Sequence, residues 1–120
     1  MALQVKRIYE AASASDGMCI LVDRLWPRGI AKEKAKINLW LKAIAPSDTL
    51  RKRFHAKPEK WDAFLEAYSE ELSAEAATEA VKELRRHSRK GPVTLLYAAR
   101  DEAHNNAVAL KALLTRRKRS

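Results

Sequence analysis

The run "VTLLYA", Val93 to Ala98, decides the fold. It is uncharged, entered from Gly91-Pro92 and left through "ARDEAHNN", so it reads as a strand buried on both faces. "MCILV", Met18 to Val22, reads the same way after the turn signal Asp16-Gly17. Some seventy residues separate the two runs, and most of them carry helical spacing. Buried strands joined through helices are the pattern of a parallel sheet.

Working outward, "LQVKRIY" (Leu3 to Tyr9) reads as a first strand. "INLWLKAIAP" stays open, because Ile37, Leu39 and Leu41 alternate like a strand while the segment also suits a helical turn. Ser47 is placed to cap a helix carrying Leu50 and Phe54. Pro58 suits the first turn of the next helix, with Trp61, Phe64, Leu65, Tyr68 and Leu72 on its inner face. Ser73 is the expected cap of a third helix through Ala77, Ala80, Val81 and Leu84, which Gly91-Pro92 ends. Asp101 is the expected cap of a last helix bearing Ala107, Val108, Leu110, Leu113 and Leu114. The order β, β, α, α, α, β, α predicts an α/β fold: a small three-layer parallel or mostly parallel sheet with helices on its faces. Residues 3–115 form the single domain expected of a 120-residue chain, and 116–120 a basic tail.

The chain carries a formal net charge of +9, yet residues 62–83 hold seven acids against Lys82 alone. This separation sets up a field that draws anions to one side of the molecule. The single cysteine, Cys19, cannot close an internal disulfide, and its apolar neighbours suit a buried strand position. The opening "MALQVKRIYE" lacks the apolar core of a signal peptide, and no run reaches membrane-spanning length. A cytoplasmic protein without a membrane partner is expected.

Ligands in parallel sheets gather at the carboxyl ends of the strands. There the corner "VDRLWPRGI" supplies Asp23, Arg24, Trp26 and Arg28, and the last strand leads to Asp101, His104 and Asn105. Arginine forks suit phosphate or carboxylate, so Arg24 and Arg28 are candidate anion ligands, with Arg51 and the helix start at Ser47 as further contributors. His104 is the candidate for proton transfer because imidazole titrates near neutrality. Asp23 and Asp101 can orient an arginine, bind a hydroxyl or act as a base; Trp26 can cover a flat group; Asn105 can bind a ligand. Each has a structural reading too: loop closure for Asp23, capping for Asp101 and His104, a core wedge for Trp26. The chain has no phosphate-binding glycine loop and no paired-cysteine metal site, and its three histidines are scattered, so neither metal nor cofactor is expected.

The segments "VDRLWPRGI", "NLWLKAIAPSDTLRKRF", "KWDAFLEAYSEEL" and "VTLLYAARDEAHNNAVAL" together resemble the YeaO-like family of bacterial proteins, a domain of unknown function. The likeness runs from about Val5 to Leu114. It implies a small single-domain α/β protein and carries no reaction with it. Three readings of function stand beside one another. The first is a metal-independent enzyme or former enzyme binding a small anionic ligand, a nucleotide or phosphorylated metabolite. The second is a nucleic-acid-binding module using Lys32, Lys34, Lys36, Arg51, Lys52, Arg53, Arg85, Arg86, Arg89 and Arg116 to Arg119. The third is a protein-interaction domain presenting the acidic face from Glu66 to Glu83.

Overall fold

A computed structural model describes residues 3–32, 36–56 and 59–115. Four strands form one sheet: β1 (Leu3–Arg7), β2 (Met18–Leu21), β3 (Leu39–Trp40) and β4 (Val93–Tyr97), in the order β1-β4-β2-β3. Every neighbouring pair is parallel, with Leu3 and Met18 both opposite Val93, and Ile20 opposite Leu39. The uncharged run that signalled a doubly covered strand is therefore central, and all five residues of β4 are buried.

The open segment after Asn38 resolves into both of its readings. Leu39 and Trp40 pair with β2, and Lys42–Ile44 turns into a short 3₁₀ helix. Asn38 fastens this edge by accepting the Cys19 N–H through Oδ1 at 2.8 Å.

Strand side chains alternate, and the two faces meet different partners. Leu3, Ile20, Val22, Val93, Leu95 and Tyr97 join one large cluster that receives apolar residues from all four helices, α1 (Asp48–Ala56), α2 (Trp61–Glu71), α3 (Glu75–Lys90) and α4 (Asn106–Thr115). Cys19, Leu21 and Leu96 point the other way, against Ile8, Trp26, Ile37 and Trp40. The irregular chain that follows β2 covers that face. Trp26 and Trp40 meet edge to face there, 5.5 Å between centroids.

Two glycine and tyrosine contacts fix the frame. Gly17 sits at φ +65°, and a Cβ there would lie 2.2 Å from the Pro92 carbonyl oxygen, so only glycine lets the start of β2 approach β4 this closely. Tyr68 of α2 is wholly buried and donates its hydroxyl to the Ile44 carbonyl at 2.6 Å. Burial pushes that phenol far above its ordinary pKa, so it stays a donor at every working pH.

Two expected helix starts are corrected. α3 begins at Glu75 with Ala74 in the cap position, while the Ser73 hydroxyl donates back to the Glu70 carbonyl at 2.6 Å. Ser73 thus closes α2 instead of opening α3. α4 begins at Asn106, five residues beyond Asp101, and Asn105 caps it by accepting the Val108 N–H at 2.9 Å. Ser47 does cap α1, accepting the Leu50 N–H at 3.1 Å. Pro58, Lys34 and the tail 116–120 lie outside the described residues. Among the described residues no helix is long and apolar enough to cross a membrane.

Candidate functional site

Because the strands are parallel, β1, β2 and β4 all deliver their carboxyl ends to one edge of the sheet. A cavity of about 350 Å³ opens there. Its walls come from the loops after β1 (Tyr9), β2 (Asp23 to Arg28) and β4 (Ala98, Ala99 and His104 to Asn106), with Pro46, Arg51, Phe54 and Phe64 from the helical side.

Asp23 closes the floor. Its Oδ2 accepts the Ala98 N–H and its Oδ1 accepts Asn106 Nδ2, both at 2.9 Å. The same Asn106 amide also donates to the Val22 carbonyl at 2.9 Å, and Trp40 Nε1 donates to the Asp23 carbonyl at 2.7 Å. One carboxylate and one amide thus join the ends of β2 and β4 to the first turn of α4. Burial pushes the Asp23 carboxyl above the usual carboxylate range, and the donors from Asn106 and Ala98, with the charge of Arg51, hold it back in part. Sequence reasoning did not single out Asn106 and missed this role. Its polar position one turn ahead of an apolar face was the only signal.

The rim is cationic. Arg24, Arg28 and Arg51 all line the cavity. Asp48, in the first turn of α1, accepts from Arg51 Nη2 at 3.2 Å, and Arg24 Nε lies 3.9 Å from the same Oδ1. Arg51 Nε is buried and has no hydrogen-bond partner. Arg28 is held through its backbone, whose carbonyl accepts the Tyr9 hydroxyl at 2.9 Å. Between rim and floor the surface is apolar: Phe54 and Phe64 stack at 4.5 Å, beside Pro46, Trp26 and the exposed Leu25.

His104 lies in the loop ahead of α4 and not on its first turn. Its ring stands edge-on to Trp61 at 5.1 Å, and Nδ1 is 3.4 Å from Asp101 Oδ2. Asp101 itself accepts the Ala103 and His104 N–H groups at 2.9 Å, which hold its carboxyl below the usual range. The Ala103 and His104 N–H groups are therefore consumed inside this turn, and Asp101 lies outside the cavity lining.

Other sequence-selected residues are similarly engaged. Asn105 lines the cavity, but Oδ1 caps α4 and Nδ2 donates to the Asp101 carbonyl. Trp26 spends its indole N–H on the Ile30 carbonyl at 2.6 Å, so it can offer only its ring. Ser47 faces α2 instead, donating both its N–H and its hydroxyl to the Glu71 carboxylate. The structure thus brings Asp23, Arg24, Trp26, Arg28, Arg51, His104 and Asn105 to one cavity and leaves Ser47 and Asp101 outside it. Among the described residues no group of three or more His, Cys, Asp or Glu is arranged to hold a metal ion.

A family model described as "Inactive DUF488-N3 subclade" matches residues 2–120. The chain is 44% identical over 110 residues to Uncharacterized protein YeaO of Escherichia coli, covering 92% of this chain and 94% of that one. It is 40% identical over 115 residues to Uncharacterized protein Rv3073c of Mycobacterium tuberculosis, covering 96% and 95%. No solved structure matches it.

Proposed function

Since the chain belongs to the YeaO-like family, whose matching model is described as the inactive DUF488-N3 subclade, we propose that it binds a small anionic ligand at the strand ends without turning it over. The ligand class is a nucleotide or a phosphorylated metabolite with a flat or apolar portion. The observation that carries this reading is the convergence of Arg24, Arg28 and Arg51 on the rim of an apolar-walled cavity. Guanidinium forks pair with phosphate oxygens, and Phe54, Phe64 and Trp26 offer surface for a ring.

The same geometry supports binding over catalysis. The lining contains no Ser, Thr, Cys or Lys among the described residues. Asp23 has both oxygens committed to hydrogen bonds within the fold. Abstracting a proton with this carboxylate would require breaking the joint between β2, β4 and α4. Among the described residues His104 and Tyr9 remain on the lining, and the Tyr9 hydroxyl is engaged with the Arg28 carbonyl.

The test is calorimetric titration with adenosine 5′-monophosphate, adenosine and inorganic phosphate against wild type and Arg24→Ala. The monophosphate is expected to bind most tightly, and Arg24→Ala to weaken it about tenfold or more, the loss of one charge-assisted contact. Failure of every anion to bind, or equal affinity in the variant, overturns the reading.

A further inference from the structure

We propose that Asp48 is a resident competitor for the anion: its carboxylate holds Arg24 and Arg51 in the ligand-free protein and must be displaced for a ligand to engage both. The proposal rests on the binding reading above and names the residue that sets its affinity. Asp48 Oδ1 lies between the two guanidinium groups, 3.2 Å from Arg51 Nη2 and 3.9 Å from Arg24 Nε. Both arginines line the cavity, whereas Asp48 does not. The carboxylate therefore approaches them from beside the cavity, as a phosphate would approach from within it.

Three features mark this grip as weak enough to exchange. The Asp48 side chain is 54% exposed, so water screens its ion pairs. Both contacts use the same oxygen, and the longer is beyond hydrogen-bond length. Arg51 Nε, buried and unpartnered, is a donor that Asp48 leaves unsatisfied. A buried N–H without an acceptor is costly, and a phosphate, with three acceptor oxygens, can draw Arg51 off Asp48 and take Nε together with the terminal nitrogens of both arginines. Asp48 also occupies the first turn of α1, where a negative charge suits the helix dipole. Its side chain thus has a second favourable position to fall back on when an anion takes the arginines.

The experiment compares wild type, Asp48→Asn and Glu66→Gln in calorimetric titrations with adenosine 5′-monophosphate and adenosine. Glu66→Gln removes an equal charge from α2, at a residue that does not line the cavity. Asp48→Asn is expected to tighten monophosphate binding about two- to fivefold, leave adenosine unchanged, and exceed any effect of Glu66→Gln. If Asp48→Asn does not fold, Asp48→Ser, which keeps a residue suited to the helix start, serves in its place. Monophosphate binding by wild type with no gain in the folded Asp48 variant, or the same gain in Glu66→Gln, overturns the competitor role and leaves the binding site standing. Absence of binding in every variant overturns the site, and the competitor with it. Binding that appears only in the Asp48 variant supports both.

Discussion

Replacing Asn106 by alanine tests the joint at the strand ends. The amide donates to the Val22 carbonyl and to Asp23 Oδ1, both at 2.9 Å. A hydrogen bond to an ionised acceptor contributes about 1.5–3 kcal/mol and a neutral one about 0.5–1.5 kcal/mol. Alanine suits a helix slightly better than asparagine, which returns about 0.5 kcal/mol. The expected loss is about 1.5–4 kcal/mol, a large part of the roughly 5–15 kcal/mol that holds a domain of this size together. At about 4 °C per kcal/mol the midpoint falls by about 6–16 °C. The loss also depends on pH, with a definite sign. Burial already places the folded pKa of Asp23 above its unfolded value, and Asn106 is among the groups that hold it down. Stability tied to protonated Asp23 is present below about pH 4 and is lost as pH rises through the folded pKa. Removing the amide raises that folded pKa further, so the penalty is larger at pH 7 than in acid. Urea unfolding followed by circular dichroism at both pH values measures it. A cost below about 0.5 kcal/mol at pH 7, or one that grows on acidification, refutes the reasoning.

Two further substitutions probe the frame. Gly17→Ala places a methyl group against the Pro92 carbonyl at positive φ, so a loss of about 2 kcal/mol or more is expected, with faster hydrogen exchange at the Met18 amide that donates to Pro92. An unchanged midpoint would contradict the close approach. Tyr68→Phe leaves the Ile44 carbonyl without its buried donor and is expected to cost about 1–3 kcal/mol in urea unfolding; a neutral result would mean that water reaches this carbonyl.

The sheet was legible because continuous apolar runs have few other places to go. Met18 to Leu21 and Val93 to Tyr97 are the two central strands, and their shared direction put both charged corners at one edge. Asp23 was visible as a polar residue ending a buried run, but its partner was not. Asparagine at 106 has the same composition signal whether its amide meets solvent or a carboxylate eighty-three residues away. Asp101 misled for a related reason. Asp101 and Asn105 are both good capping residues, and each accepts backbone N–H groups, but only the turn geometry decides which one opens the helix. Ser73 shows the same ambiguity in reverse, since a hydroxyl can close the helix behind it as readily as cap the one ahead. Arg24 and Arg51 were each recognisable as cations, while their sharing of Asp48 depends on the loop after β2 approaching the first turn of α1.

The strand order has a consequence for how the chain reaches this state. β1 and β2 lie on either side of β4 and do not pair with each other, and Leu3 finds its ladder partner in Val93, ninety residues on. During synthesis the first two strands therefore emerge with their facing edges unpaired and stay so until the last strand slides between them. Assembly is thus governed by long-range closure, and helices formed earlier wait without the wall they pack against. The arginine-rimmed cavity, built from the ends of all three strands, comes into being only with that final insertion.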